Sequence, residues 1–322
     1  MKTYVEEHWD RYIGGCKKDL NCIFEIGAVK FKVYSKCRWS ISLLKKYLSF
    51  HLKSRSSKLN PHQFIIFKNL NVKFTNSITA AQNWKDKLSD GTGLYISKLN
   101  RDYIIMRVGK EVIMYIDNIN NRTIIEYTDR TFKNKNIHPN PISYIVPFLN
   151  IVLSYHENYI IHSASIKFKK KSLLILGGPG AGKTTLSLIL AKNGFKFRSD
   201  DLTILSCEEN KLYSYPLLLK PKIKNRKFLK LYKYSYHNSL LKYEITKLLF
   251  IKYFHKYSFG LRIIDPYTVF KLLYDQLNDL KLYYNSKKLI NLLFKLSENK
   301  QSYFWELGPA ENFDVTKLKQ VL

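Results

Sequence analysis

Cysteine is scarce in this sequence, and its spacing fits no zinc site. The chain of 322 residues has four cysteines, Cys16, Cys22, Cys37 and Cys207. None of them forms a C-x-x-C pair, and no combination of Cys and His has the spacing of zinc ligands. We therefore expect reduced thiols, as in a cytosol.

Long apolar runs and a secretory leader are also missing. The first residues, MKTYVEEHWD, carry acids where a signal peptide needs a basic start and an apolar run. The longest apolar stretches, such as residues 144–154, are shorter than the roughly 20 residues that cross a bilayer. These absences predict a soluble, cytoplasmic protein without a membrane partner.

Acidic residues are few relative to basic ones. There are 25 Asp and Glu against 54 Lys and Arg, which gives a net charge of +29. Such an excess favours an acidic partner, which can be nucleic acid, an anionic surface or an acidic peptide. The alternative is compositional drift in a chain rich in Lys, Asn, Ile and Tyr. Of the basic residues only 10 are Arg, and this favours drift, because selected phosphate contacts tend to use Arg.

The first part of the chain predicts a β-rich α+β domain over residues 1–140. Residues 24–35 read as a strand, and residues 93–129 read as three or four strands joined by hairpin turns. Residues 40–53 carry a helical period. The segment NKNIHPNP, with two prolines and three asparagines, marks the boundary before a second domain over 141–322. The first domain is a candidate for substrate docking.

The second part predicts an α/β domain. A mostly buried helix covers 142–158, with Pro147 as a kink or a late start. A strand (159–168), a buried strand (172–177) and a helix (182–195) follow, and Gly194 stands where a C-cap belongs. Mixed strands and helices around a glycine-rich loop are typical of the α/β class.

Residues 177–184 match the phosphate-binding P-loop pattern, G-x-x-x-x-G-K-T. Its glycines allow backbone N–H groups to face phosphates, and the following helix directs its positive end to the same place. Lys183 would neutralise the β- and γ-phosphates, and the Thr184 hydroxyl would bind Mg²⁺. The predicted nucleotide-binding residues are Gly177, Gly178, Pro179, Gly180, Ala181, Gly182, Lys183, Thr184 and Thr185. The alternative is a glycine-rich turn without a ligand.

Three further side chains are candidates for chemistry. Asp200 and Asp201 follow Thr184 at a distance that fits one helix and a return strand, so their carboxylates should lie near the loop. A carboxylate there can hold Mg²⁺ or accept the proton of an attacking hydroxyl. His162 lies on the strand before the loop; a lone histidine on a strand is more often a core residue than a catalytic one.

Residues 160–205, IIHSASIKFKKKSLLILGGPGAGKTTLSLILAKNGFKFRSDDLTIL, resemble the core of the HPr kinase/phosphorylase catalytic domain. That family has a histidine on the first strand, a P-loop, a helix and an Asp-Asp pair on the following strand. It phosphorylates a serine of a small phosphocarrier protein with ATP and Mg²⁺. The sequence is still more similar to the HPr-kinase-like group that includes kinases encoded beside lasso-peptide modification genes. On that reading the resemblance extends over residues 150–322.

The resemblance implies a P-loop kinase domain of the HPr kinase/PEP carboxykinase type. Lys183 and the loop amides would bind phosphates, and Thr184 would bind Mg²⁺. Asp201 or Asp200 would be the base toward the acceptor hydroxyl, with the other acid on the metal side, and His162 would lie beside them. An oligomer is also expected, since HPr kinases form hexamers.

Two departures from the family pattern bear on the substrate. HPr kinases have a Glu directly after the P-loop Ser/Thr, where this chain has Thr185. Their arginine-glycine signature, tied to phosphorolysis, has no match, because Arg262 stands in other surroundings. These departures argue against HPr as the acceptor and against the reverse reaction, and they leave the kinase core intact.

The favoured function is therefore an ATP-dependent, Mg²⁺-dependent kinase acting on Ser or Thr of a peptide or protein. A small-molecule kinase on the same core is the first alternative. A less favoured one is an NTP-driven nucleic-acid-binding ATPase, suggested by the basic, aromatic-containing segment 220–237. A nucleotide-gated module without turnover is disfavoured by the intact lysine, threonine and acid pair.

Overall fold

The computed structural model describes most of the chain. The described residues are 4–14, 21–35, 42, 44–45, 48, 52–53, 61–68, 84–87, 93–98, 102–108, 112–127, 141–169, 171–217, 242–253, 260–277, 286–307 and 315–321. The expected helix at 40–53 and the basic segment 220–237 fall largely or wholly outside them. The described part is a mixed α/β structure with two mixed β-sheets and few helices.

Contacts divide the chain into two compact units, residues 1–152 and 153–322. The division falls between Val152 and Leu153, inside the helix that spans Pro141–Tyr155. The domain boundary predicted from the sequence, between residues 140 and 141, stays a prediction.

The first unit is built on a nine-stranded sheet. Its elements are α1 (Tyr4–Gly14), β1 (Asn21–Ile26), β2 (Val29–Ser35), β3 (Leu52–Lys53), β4 (His62–Lys68), β5 (Trp84–Lys87), β6 (Gly93–Lys98), β7 (Tyr103–Val108), β8 (Val112–Asp117), β9 (Arg122–Tyr127) and α2 (Pro141–Tyr155). The strand order is β3-β1-β2-β4-β9-β8-β7-β6-β5. Among the strands that the structure describes in this unit, the pairs β2/β4 and β4/β9 are parallel and the other pairs are antiparallel.

Helix α1 covers part of this sheet. Apolar side chains spaced four residues apart lie on one face of a helix, and Val5 and Trp9 of α1 are both buried against Ile124 of β9. The alternating burial of β1 and β2 shows why both form half-buried strands. The core of this unit is therefore formed by the buried side chains of the alternating strands and by the apolar face of α1.

Two local expectations change in this unit. The single strand expected at 24–35 is an antiparallel hairpin, in which β1 and β2 pair across a turn at Gly27 and Ala28. Gly27 has φ +62°, a left-handed conformation that glycine adopts without a steric penalty. Helix α2 begins at Pro141, so the late start at Pro147 is wrong.

The second unit contains the glycine-rich loop. Its elements are β10 (Tyr159–Phe168), β11 (Lys171–Leu176), α3 (Lys183–Lys192), β12 (Lys196–Ser199), β13 (Leu202–Glu208), β14 (Lys211–Pro216), β15 (Tyr243–Glu244), β16 (Lys247–Tyr253), β17 (Arg262–Ile263), α4 (Pro266–Asp275), α5 (Ser286–Asn299), β18 (Gln301–Leu307) and α6 (Val315–Val321). The sheet runs β15-β14-β13-β10-β11-β16-β18-β17, and β12 also pairs with β10.

Three neighbouring strands of this sheet, β11, β16 and β18, are parallel. Their carboxyl ends therefore meet at one edge, which is where ligands bind in open α/β sheets. On one face, alternate residues of these strands pack against Leu186 and Leu190 of α3 and Leu318 of α6. This core fixes the start of α3, and with it the loop, against the ends of the parallel strands.

Among the described residues, no helix combines the length and apolar composition that crossing a bilayer requires.

Candidate active site

The loop between β11 and α3 uses glycine where a side chain does not fit. A Cβ on Gly177 would lie 2.5 Å from the carbonyl oxygen of Ile251 in β16, closer than real Cβ atoms approach. Gly180 and Gly182 have φ of +76° and +90°, in the left-handed region. Gly182 caps α3, and its carbonyl accepts the first helical hydrogen bond from the Leu186 N–H at 2.8 Å. The strand, loop and helix follow the predicted order.

Lys183 is buried at the first position of α3, with 6% of its surface exposed. Its Nζ donates to the carbonyl oxygens of Gly177 at 2.6 Å and Gly178 at 3.2 Å. Its third contact is the Nδ1 of His162, at 3.3 Å. An ammonium group has three N–H donors and no acceptor, so these contacts use all three. Burial lowers the pKa of Lys183, and the charge of Asp201 opposes that shift.

His162 lies between Lys183 and Asp201. Because the ammonium can only donate, the Nδ1 of His162 accepts, and the proton of a neutral imidazole then lies on Nε2. That Nε2 lies 2.6 Å from Oδ1 of Asp201. The three side chains thus form one chain of contacts, from the phosphate loop through an imidazole to a carboxylate. We call Lys183, His162 and Asp201 the contact triplet.

Strand pairing explains why these residues meet. His162 on β10 pairs with Leu202 at the start of β13, in antiparallel register. Asp201 directly precedes Leu202, in the bend between β12 and β13, so its carboxylate lies beside the imidazole. The acid pair was expected on a strand, and this is wrong. Asp200 and Asp201 form the bend between β12 and β13.

The surroundings keep the Asp201 carboxyl ionised. The hydrogen bond from His162 holds the pKa of Asp201 below its ordinary value, and the charge of Lys183 acts in the same direction against the effect of burial. The side chain keeps 67% of its surface exposed, whereas that of His162 keeps 28%. A charged, accessible carboxylate at the end of this contact chain can accept a proton from an incoming hydroxyl.

The other predicted site residues line the same loop and bend. Thr184 and Thr185 are exposed on the first turn of α3, and Asp200 is half-buried beside Asp201. Gly178, Pro179 and Gly180 are exposed at the loop tip, while Ala181 is buried. No group of three His, Cys, Asp or Glu side chains converges as a metal site among the described residues.

A cleft of about 440 Å³ opens on the loop. One wall is formed by loop residues 177–181. The rest is lined by Phe250, Ile251, Lys252, Leu272, Gln276 and Phe304. Residues 250–252 lie in the carboxyl half of β16, and Phe304 lies on the parallel β18. Leu272 belongs to α4, and Gln276 is the C-cap of that helix. A cleft of this size and mainly apolar lining is typical of small-molecule sites.

Sequence reasoning missed every lining residue of this cleft outside the loop. The rule that ligands bind at the carboxyl ends of parallel strands could have indicated Phe250 and Lys252 once β16 was placed next to β11. Gln276 had no such signal. Its place beside the loop depends on a pairing between residues far apart in the chain.

The chain was compared with known proteins. No family model matches it, and no curated protein matches it. Among solved structures it is similar to the Hpr(Ser) kinase/phosphatase from Coxiella burnetii, with 16% identity and a TM-score of 0.30, over 51% of this chain and 87% of that chain. A likeness at that TM-score supports no function for this chain.

Proposed function

We propose that this chain is an ATP-dependent phosphotransferase that moves the γ-phosphate to a hydroxyl group, on a Ser or Thr of a peptide or protein. The observation that carries the proposal is the contact triplet. A phosphate-loop lysine is joined through His162 to the carboxylate of Asp201, by contacts of 3.3 Å and 2.6 Å. A charged, accessible carboxylate at that position meets the requirement for a general base toward an acceptor hydroxyl.

On the phosphate side, Lys183 and the loop amides would hold the β- and γ-phosphates. Two of the three Lys183 donors point at the loop carbonyls of Gly177 and Gly178. A phosphate oxygen offers the same ammonium a charged acceptor, which makes a stronger bond than a neutral carbonyl. The buried position of Lys183 increases its effect on developing charge, because there is little water to screen it.

On the acceptor side, Asp201 would act as general base. The acceptor oxygen forms a bond to the γ-phosphorus while the bond from that phosphorus to the β,γ-bridging oxygen breaks, and the acceptor proton passes to Asp201. His162 donates to Oδ1, which leaves Oδ2 as the atom to receive the proton. His162 would thus orient the base and would not itself take the proton.

Magnesium fits the residues present as a companion of the nucleotide. Mg²⁺ at nucleotide sites is held by one or two protein oxygens together with phosphate oxygens and water, so a separate protein cage is not needed. The Thr184 hydroxyl, exposed on the first turn of α3, and Asp200 in the bend are the proposed protein ligands. When bound, the ion would neutralise charge on the transferred phosphoryl group.

The cleft would take the nucleoside part of ATP. It adjoins loop residues 177–181 and offers the half-buried ring of Phe304 and the amide of Gln276. Its volume of about 440 Å³ lies in the range of small-ligand pockets. None of the contact triplet lines it. The acceptor would therefore approach from the Asp201 side and the nucleoside would lie on the other.

A polypeptide acceptor is the substrate we favour, and an acidic one would complement the net charge of +29. The acceptor class is supported by the resemblance of residues 160–205 to HPr-kinase-like kinases. Docking on residues 1–140, a cytoplasmic location and an oligomeric state belong to the same proposal. The family's arginine-glycine signature, which is tied to phosphorolysis, has no match in this chain, so phosphorolysis is not part of the proposal.

The experiment uses an ATP analogue that carries a taggable γ-phosphate. The full chain is incubated with it, Mg²⁺, and either cell lysate or peptides encoded by neighbouring genes, and tagged products are identified by mass spectrometry. Lys183→Ala is the test variant. Lys192→Ala is the matched control, because Lys192 lies on the same helix but is exposed at its far end.

A tagged Ser or Thr made by the wild type and by Lys192→Ala, but not by Lys183→Ala, is the expected result. A tagged metabolite with no tagged polypeptide would replace the peptide acceptor by a small molecule. Nucleotide hydrolysis without any tagged product, or equal labelling by Lys183→Ala, would overturn the proposal.

A further inference from the structure

The contact triplet has a structural support that comes from elsewhere in the chain. Strand β11 pairs with β10 only from Ser163 onward, because the chain leaves the sheet after Leu176 to form the loop. At the edge that β11 vacates, Leu277 forms an isolated antiparallel bridge with Ile161. The His162 N–H donates to the carbonyl oxygen of Gln276 at 3.3 Å.

This support is the C-terminal turn of α4, residues 274–277. The last carbonyls of a helix have no hydrogen-bond partner within the helix. The carbonyl of Gln276, the C-cap residue, accepts its hydrogen bond from the backbone N–H of His162. The turn is closed by the Leu277 N–H, which donates to the Tyr274 carbonyl at 3.3 Å. Leu277 anchors it, with only 4% of its surface exposed.

Strand pairing holds His162 from its other edge as well. On the edge of β10 that faces β13, Leu202 pairs with His162 and places Asp201. On the opposite edge, beyond the end of β11, the turn 274–277 pairs with β10 through Leu277 and Ile161. A hydrogen bond of 2.6 Å between His162 and Asp201 needs the imidazole to be placed within about half an ångström. The position of the imidazole along the strand therefore depends on both neighbours.

We infer that the turn 274–277 positions His162 against Asp201, with Leu277 as the positioning residue. Its catalytic consequence rests on the proposed function, because only a base at Asp201 makes the alignment matter for rate. The same turn carries Gln276, which also lines the cleft. A nucleoside in the cleft would thus contact the element that aligns the base.

The test is to shorten Leu277 and to follow His162 directly. Leu277→Ala removes the anchor. Leu273→Ala is the matched control, because Leu273 is equally apolar and fully buried in α4, one turn before Leu277, whereas the described bridge to β10 is made by Leu277. Leu277→Met keeps the bulk and should restore the wild type.

Nitrogen NMR of the full chain, labelled at histidine, reports the protonation of each ring nitrogen. In the wild type and in Leu273→Ala we expect one His162 tautomer, with the proton on Nε2. In Leu277→Ala we expect a mixture of both tautomers. Leu277→Val serves as a milder truncation if the alanine variant does not fold.

Kinetics provide the second readout. Leu277→Ala should lower kcat about tenfold or more, as small misplacements of catalytic groups do, and should raise the KM for ATP by a smaller factor, because Gln276 of the same turn lines the cleft. Leu277→Met should recover most of kcat. A single tautomer and a normal kcat in Leu277→Ala would overturn the inference, and so would equal losses in Leu273→Ala.

The two proposals can fail separately. If the wild type transfers no phosphate to any acceptor, the proposed function fails, while the tautomer comparison still decides whether the turn positions His162. If transfer occurs but the tautomer is insensitive to Leu277, only the positioning role is lost.

Discussion

Each of the two structural units has a histidine on a strand, and the two histidines have opposite surroundings. His62 begins β4 in the first unit, with 1% of its surface exposed, and its Nε2 lies 2.9 Å from the Thr123 hydroxyl of the neighbouring β9. His162 in the second unit is partly exposed and lies between an ammonium and a carboxylate. One ring is held inside a sheet by a neutral partner, and the other connects two opposite charges at a surface.

The acids of the two units differ in the same way. Asp117 is fully buried at the end of β8 and accepts from the backbone N–H and the side-chain amide of Asn120, at 3.0 Å and 2.8 Å. These hydrogen bonds close the turn between β8 and β9, so the role of Asp117 is structural. Asp201 is bonded through one oxygen and is otherwise open to the surroundings. Polar residues whose partners are local and neutral stabilise the fold, whereas converging charges with an accessible end indicate chemistry.

The largest expected effect separates the two aspartates. Asp201→Asn keeps the shape of the side chain but removes the proton acceptor, so phosphoryl transfer should fall by about 10²–10⁴-fold with little loss of nucleotide affinity. Asp117→Asn should lower the melting temperature and leave the rate per folded molecule unchanged. Transfer assays, nucleotide titration and thermal unfolding measure the pair. Near-normal transfer by Asp201→Asn would show that it is not the base.

The two histidines give the next contrast. His162→Ala should reduce kcat by one to two orders of magnitude, about what loss of an orienting group costs, with a small change in stability. His62→Ala removes a buried ring and leaves the Thr123 hydroxyl without this bond, so it should lower the free energy of unfolding by about 2–4 kcal/mol. Denaturant titration and kinetics of both variants test this. Equal behaviour of the two variants would remove the distinction.

Two adjacent glycines of the loop offer a smaller contrast. Gly177→Ala forces a Cβ against the Ile251 carbonyl, so the loop or β16 must shift, at a cost of about 1–3 kcal/mol in unfolding free energy and with weaker nucleotide binding. Gly178→Ala meets nothing within 4 Å and should be within about 0.5 kcal/mol of wild type. Chemical denaturation of both variants measures the difference, and indistinguishable midpoints would contradict the close approach.

The smallest effect concerns pH. The His162 bond lowers the pKa of Asp201, so this interaction stabilises the fold above the ordinary Asp pKa and is lost as pH falls through the lowered value. The window is therefore below about pH 4. In His162→Ala the pKa of Asp201 should rise, and stability should fall less steeply with acid than in the wild type. Carbon NMR of the carboxylate and unfolding at several acidic pH values measure this, and an unchanged Asp201 pKa would refute it.

The sequence was most informative where structure is set by neighbours in the chain. The glycine loop, its preceding strand and its helix follow from local pattern, and so do the four strands β6–β9, because hairpin turns separate alternating residues. The hairpin of β1 and β2 was missed because its turn, Gly27–Ala28, interrupts an alternating pattern without a strong turn signal. The roles of the basic segment, including Lys222, Lys224 and Lys227, stay predictions, since these residues lie outside the described part.

Long-range pairing limited the prediction of the site. The distance between Thr184 and the acid pair suggested that a carboxylate returns to the loop, but the register of His162 with Leu202 selects Asp201 as the partner of the imidazole. No short sequence pattern predicts that Leu277 bridges to Ile161 or that β16 and β18 lie parallel to β11. The cleft and the turn 274–277 therefore became visible only in three dimensions.

The antiparallel pairing of β10 with β11 and β13 has a consequence for the order of folding. Residues 159–208 contain the whole contact triplet and the strands β10 and β13 that bring it together, whereas the turn 274–277 comes later in the chain. The cleft, by contrast, needs β16 and β18, which are parallel neighbours that lie farther along the chain. Contacts close in sequence form faster than distant ones, and a growing chain exposes them first. The lysine, histidine and aspartate can thus meet while the polypeptide is still being synthesised, before the chain that completes the cleft has left the ribosome.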